Sequence, residues 1–201
     1  MRTQAPAQVD AFIDLRSPYS YLSLGPARQL AERTGVRFDW WPYITDFRSA
    51  YGGAVDQRTS RDVAKVKYLY MDCRRLAKKQ GLIIRATTKL WDPTLGCKAM
   101  LFAKAHDRLW TFLDPLLVAF WQREFDLESP VQIELALHSA GLDVTAWRAY
   151  LAANAEAELA GALARAESLG VFGAPTFVHR GELFWGSDRI DLLAESLATT
   201  A

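Results

Sequence analysis

Ser17, in the run Ser17-Pro18-Tyr19-Ser20-Tyr21, is the side chain whose setting first suggests chemistry. It follows a short apolar run (Phe12, Ile13, Leu15) and opens a segment, Tyr21 to Arg33, that reads as a helix. A hydroxyl at such a strand-to-helix junction sits among backbone N–H groups that lack intrahelical acceptors, at the positive end of the helix dipole, where an anion is favoured. Two readings fit these residues and can coexist. Serine at the cap with proline at the first helical position is a common helix start. The same hydroxyl can donate to a bound thiolate, and such surroundings lower a thiol pKa from about 8.5 towards 7 or below. No cysteine stands in the segment, so thiolate chemistry there needs a thiol from outside.

Further groups follow along the chain. Gly173-Ala174-Pro175-Thr176 precedes a β-rich run. It is either a stiff loop at a strand start or a cis Ala174-Pro175 bond that turns the backbone of Ala174 towards a ligand. Gly186-Ser187-Asp188 reads as a helix cap at Ser187 or Asp188, or as a hydroxyl and carboxylate that receive the zwitterionic end of a small peptide. Lys65 and Lys67 lie in a long helix whose charged face is expected to be solvated; either could meet a carboxylate if that helix lies over a cleft. Tyr19, Tyr21 and Trp185 stand beside these serines, where an aromatic substrate would bind, although aromatic residues are more often core. His106, His138 and His179 are isolated from other ligating residues, so no metal is expected.

The elements that must position these residues can be read from turn signals and periodicity. Val9 to Leu15 reads as a strand, Pro18 to Glu32 as a helix stopping at Thr34-Gly35, and Val36 to Pro42 as a second, parallel strand. Ile44 to Ser60, with Gly52-Gly53, is loop-like. Helices are expected over Arg61 to Gln80, Leu95 to His106, Leu109 to Arg123 (kinked or broken at Asp114-Pro115), Pro130 to Ala140 and Val144 to Leu169. Thr176 to His179 and Glu182 to Trp185 form a hairpin about Arg180-Gly181, and Asp188 to Leu197 is a closing helix. The order, βαβ then helices then ββα, predicts an α/β thioredoxin-like fold interrupted by a large all-helical insertion. Residues 1–60 and 170–201 would form the thioredoxin-like domain and 61–169 the insertion.

Bulk properties exclude several classes. The chain has 201 residues, half of them hydrophobic and 23% charged, as in an ordinary globular protein. A net charge of +1 gives no reason to expect nucleic acid or an anionic membrane as partner. Met1 to Asp10 lacks a secretory pattern, and the most apolar stretch, Leu109 to Trp121, is too short to span a bilayer. Cys73 and Cys97 have no CxxC spacing, so a disulfide framework is not expected and the chain reads as cytoplasmic.

Taken in order, SPYSYL, Lys65-Tyr68-Asp72 (KxxYxxxD), VFGAPTF and GELFWGSDRIDLL resemble the kappa-class glutathione transferase and 2-hydroxychromene-2-carboxylate isomerase family, a branch of the DsbA-like thioredoxin superfamily. The likeness runs from Phe12 to Leu197. It implies glutathione as the bound thiol, with Ser17 as the hydrogen-bond donor to its sulfur. Ala174, before a cis Pro175, would pair with the cysteinyl backbone, Ser187 and Asp188 would hold the γ-glutamyl end, and Lys65 would lie near the glycyl carboxylate. In the isomerase the implied chemistry is reversible thiolate addition to a conjugated chromene, followed by ring opening, bond rotation and loss of the thiol. A homodimer and a small aromatic substrate are implied as well. Gly53, Ala162 and Pro93-Thr94-Leu95 depart from the family pattern, Gly53 and Ala162 standing where many relatives carry asparagine. The alternatives are a kappa-like transferase or peroxidase, and a non-catalytic binding protein that keeps the fold. SPYS lacks both thiols of CxxC, which disfavours a disulfide oxidoreductase.

Overall fold

The computed structural model describes residues 7–47 and 58–199. The chain divides into two compact units, Met1–Tyr43 with Ala162–Ala201, and Ile44–Gly161.

The first unit is built on a four-stranded sheet in the order β2-β1-β3-β4. Its strands are β1 (Gln8–Ile13), β2 (Arg37–Pro42), β3 (Thr176–His179) and β4 (Glu182–Trp185). β2 lies parallel to β1, as expected for a β-α-β unit, and β3 and β4 follow antiparallel. Helix α1 (Pro18–Thr34) is the β1–β2 crossover, and it ends where Gly35 takes φ 72° and returns its N–H to Ala31 O. Arg180 and Gly181 both have positive φ (54° and 84°), the backbone required by a two-residue hairpin turn that matches strand twist.

Alternation along the strands assigns each residue to a face. On one face Ala11 is paired with Trp40 on one side and Phe177 on the other. Its single methyl lets the two large rings approach across the central strand, with centroids 6.3 Å apart and edge to face, and Phe38 completes the cluster 5.8 Å from Phe177. On the other face Phe12 and Val178 pack with Ala166 and Val171, flanked by Trp41 and Leu183. There Arg165 grips Asp10 with its guanidinium (2.8 Å), and Asp10 also accepts from the Trp41 indole at 3.0 Å. β1, with Val9, Ala11, Phe12 and Ile13 buried, is therefore the central strand with cover on both sides.

The second unit contains the helices α2 (Ser60–Lys79), α3 (Thr94–Ala105), α4 (Leu109–Trp121), α5 (Pro130–Ser139) and α6 (Val144–Ala153), together with the first half of the helix Ala155–Ser168. α3 is apolar around most of its circumference, as a helix surrounded by others must be, and it packs against α4, α5 and α6. Trp147 fills the junction, its ring 5.5 Å from Phe102. α2 starts in a reciprocal capping box between Thr59 and Asp62, which holds the Asp62 carboxyl below its ordinary pKa. No helix among the described residues is long and apolar enough to cross a membrane.

Three details differ from the sequence expectation or complete it. Val144 to Leu169, expected as one helix, bends at Asn154 into α6 and α7 (Ala155–Ser168). Hydrogen bonds run through the bend, from Asn154 N–H to Tyr150 O and from Glu158 N–H to Asn154 O, while Asn154 relaxes to φ −118° and buries Ala155. α4 continues across Pro115 rather than breaking. The closing helix, α8 (Ile190–Ala198), is preceded by a separate 3-10 turn, Ser187–Arg189.

His179, at the end of β3, is buried with Nδ1 3.3 Å from Ser196 Oγ on α8. Burial, reinforced by Arg180 and opposed by Glu182, pushes its pKa below 6.5. The folded state therefore prefers the neutral ring. Its contribution is present above the unfolded value of 6.5 and is lost as pH falls through that value towards the lowered folded pKa. Urea unfolding between about pH 7 and pH 5 should show wild type losing more stability on acidification than His179→Asn. Parallel profiles would contradict a neutral buried ring.

Candidate active site

The chain between β1 and α1 is set by Asp14. Its carboxylate is fully buried and accepts from the Arg16 backbone N–H (2.9 Å) and from two guanidinium nitrogens of Arg16 (3.0 and 2.8 Å). Its own N–H donates to Ser20 Oγ, and Ser17 N–H donates to Asp14 O. These bonds fold the Leu15-Arg16 turn tightly enough to present Ser17 at the cap of α1. Ser17 Oγ accepts from Ser20 N–H (3.2 Å), Pro18 follows at the first helical position, and the first turn carries no acidic residue to offset the dipole.

Opposite Ser17 lies the loop before β3, with a cis Ala174–Pro175 bond. Its three consecutive carbonyls each receive one donor. Thr176 Oγ1 donates to Gly173 O at 2.7 Å, Ser17 Oγ to Ala174 O at 3.2 Å, and Gly186 N–H to Pro175 O at 2.9 Å. The Ser17 bond is the longest of the three and is made by a half-buried hydroxyl that can rotate. It is thus the one most easily exchanged for a ligand acceptor, and when exchanged it releases the Ala174 carbonyl too.

Ser187 and Asp188 follow directly from Gly186. The capping role considered for them is not seen: neither side chain caps the 3-10 turn or α8. Gly186 has φ 113°, a backbone conformation that side chains rarely adopt, so glycine is favoured there. Asp188 is exposed and paired with the adjacent Arg189 at 2.5 Å, while Ser187 is half-buried. Gly186 thus ties the Ser187–Asp188 turn to the Pro175 carbonyl. The first unit accordingly brings the Ser17 hydroxyl onto the Ala174 carbonyl and ties Gly186 to the Pro175 carbonyl, with Ser187 and Asp188 the next two residues along the chain.

Lys65 stands exposed on α2 of the second unit, where its charge helps lower Asp62. Ala162 is buried in α7, and Gly53 lies outside the described residues. Cys73 and Cys97 are not joined in a disulfide, and both are buried in the second unit. No cluster of His, Cys, Asp or Glu suited to a metal occurs among the described residues. Asp14, Arg16 and Thr176 were not singled out from the sequence. An acid two positions before a basic residue in a strand-to-helix turn was the available signal for the first two.

Residues 8–198 match the model of the DSBA-like thioredoxin domain. The chain belongs to that family. Among relatives of this DsbA-like chain is a 2-hydroxychromene-2-carboxylate isomerase of Sphingobium xenophagum, 27% identical over 190 residues (94% of this chain, 97% of the relative). Another, from Pseudomonas putida, is 27% identical over 197 residues (94% and 93%). A solved 2-hydroxychromene-2-carboxylate isomerase superposes with a TM-score of 0.79 at 22% identity, covering 96% of this chain and 95% of that one. The cytosolic disulfide reductase DsbM of Pseudomonas aeruginosa, solved with GSH, gives 0.62 at 18% identity (95% and 99%).

The DsbA-like frame makes the structural role of Ser17 separable from its chemistry. Ser17→Ala should lower unfolding stability by about 1 kcal/mol, the usual worth of an N-cap, whereas Ser17→Asp keeps a capping acceptor and should lose less. Urea midpoints measure both; equal losses would mean that the cap contributes nothing.

Proposed function

We propose that the chain is a glutathione-dependent isomerase of the 2-hydroxychromene-2-carboxylate type, acting in the cytoplasm on an aromatic, conjugated carboxylate. The observation that carries this reading is the Ser17 hydroxyl, fixed at the N-terminus of α1 and resting on the Ala174 carbonyl, in a chain similar over nearly its whole length to such isomerases.

The residues fit a tripeptide thiol. Ser17 Oγ turns from Ala174 O to donate to sulfur, and α1 lends the positive end of its dipole. That donor and dipole favour the thiolate over the thiol. The backbone of Ala174, held beside Pro175, pairs with the cysteinyl unit. Ser187 and Asp188 receive the γ-glutamyl end, where an arriving ammonium shares the Asp188 carboxylate with Arg189. When bound, glutathione supplies a nucleophile that adds reversibly to a conjugated double bond and so permits a rotation that the double bond forbids. Ser17 holds the sulfur's charge on departure as on attack, so one donor serves both directions of an isomerisation.

A reductase using the chain's own thiols finds no support, because position 17 is serine and both cysteines are buried in the second unit. Calorimetry should detect glutathione binding at millimolar concentration or below, and the ultraviolet absorbance of the bound thiol should report a lowered pKa. Ser17→Ala should raise that pKa by about one unit, the order expected for losing one hydrogen bond to a charged group. Ser17→Asp, with its negative charge, should abolish the thiolate while the fold persists. An absence of glutathione binding by the wild type would sink the proposal. Consumption of glutathione in step with product would replace isomerisation by transfer.

A further inference from the structure

Phe172 and Trp185 break the pattern of the first unit. Of the other large rings of its sheet, Phe12, Trp40, Phe177 and Phe184 are buried and Phe38 and Trp41 half-buried, yet Phe172 is 64% and Trp185 54% exposed. They also touch each other, with centroids 4.9 Å apart and planes at 63°. Two exposed aromatic side chains held at an angle form a corner: a flat ring can stack on one while meeting the edge of the other, the two arrangements that ring quadrupoles favour.

The same loop that carries the cis bond fixes this corner. Trp185 lies opposite Thr176 in the β3–β4 register, and Thr176 in turn bonds Gly173 O. Gly173 admits the indole because it has no side chain: a Cβ there would stand 2.8 Å from Trp185 Nε1 and 3.3 Å from Cε2. Phe172 precedes Gly173 directly, and Ala174, whose carbonyl receives the Ser17 hydroxyl, follows it. One short loop therefore places an aromatic corner beside the group assigned to the thiol.

We propose that Phe172 and Trp185 form the seat for a planar aromatic ring of the acceptor substrate, and that they set the preference for aromatic over aliphatic carboxylates. This inference rests on the reading of Ser17 as the thiol partner and adds a second, separable subsite to it. A protein partner fits less well. Asp188 and Arg189, which follow Trp185 closely in the chain, are exposed and charged, and two side chains fall far short of the roughly 800 Å² per partner of a standard interface.

The test is titration of chromone-2-carboxylate, a stable planar probe, against cyclohexanecarboxylate, with glutathione titrated in parallel. It uses full-length wild type, Trp185→Ala, Trp185→Phe and Phe172→Ala. The chromone Kd should rise about five- to tenfold in both alanine variants and by less than about twofold in Trp185→Phe, as expected for losing or keeping a ring contact. Glutathione affinity should stay within about twofold throughout, and cyclohexanecarboxylate should bind weakly to every form. Unchanged chromone affinity in Trp185→Ala, or wild type that binds both carboxylates equally or neither, would overturn the subsite. So would a change of sedimenting mass in Trp185→Ala with probe affinity intact, which would assign the corner to a second copy. Failure of wild type to bind glutathione while the ring preference holds would instead remove the thiol reading and leave the corner as an aromatic site.

Discussion

The hydrogen bond from Ser17 Oγ to Ala174 O joins residues 157 positions apart and is the hinge of the site. Buried carbonyls must find donors, and the loop ahead of β3 meets that demand by drawing on three different places. Gly173 is answered from the strand that follows, Pro175 from the far end of the hairpin, and Ala174 from the start of α1. The first two are internal to the β3–β4 region and set its shape. The third crosses to the β1–α1 junction, so the same hydroxyl that caps a helix also registers one half of the sheet against the other.

Behind that junction stands Asp14. A fully buried carboxylate is costly unless its lone pairs are filled, and here a guanidinium two residues away fills most of them. The pair adds no net charge to the site, which leaves the α1 dipole and the Ser17 donor as the local preference for an anion. Sheet packing gives the same region its rigidity. Ala11 at the centre allows Trp40 and Phe177 to meet across β1, and Arg165 fastens Asp10 on the opposite face.

Much of this was legible in the sequence where local chemistry determines conformation. Ser17-Pro18 marked the start of α1, Thr34-Gly35 its end, and Arg180-Gly181 the hairpin, because capping and positive φ restrict residue choice strongly. The bend at Asn154 was not legible, since neither glycine nor proline marks it and hydrogen bonding continues through it. The capping reading of Ser187-Asp188 failed for a related reason: Gly186 starts the turn with its backbone, so a favourable cap residue had no vacancy to fill. The Phe172–Trp185 corner was hidden by a sound rule. Large rings usually go inside, and only the strand register and the missing side chain of Gly173 bring these two together outside.

The position of β1 between β2 and β3 has a consequence for synthesis. β2 follows β1 within a few dozen residues and can close one edge early, but the partner for the other edge is made only after the whole helical unit. At ribosomal rates of about 5–20 residues per second, that edge of an apolar strand stays open on the order of ten to thirty seconds. Helical contacts form quickly and locally, so the inserted unit can be complete while the sheet still waits. The nascent chain is most exposed to mispairing in that interval, and the arrival of Thr176 to His179 ends it.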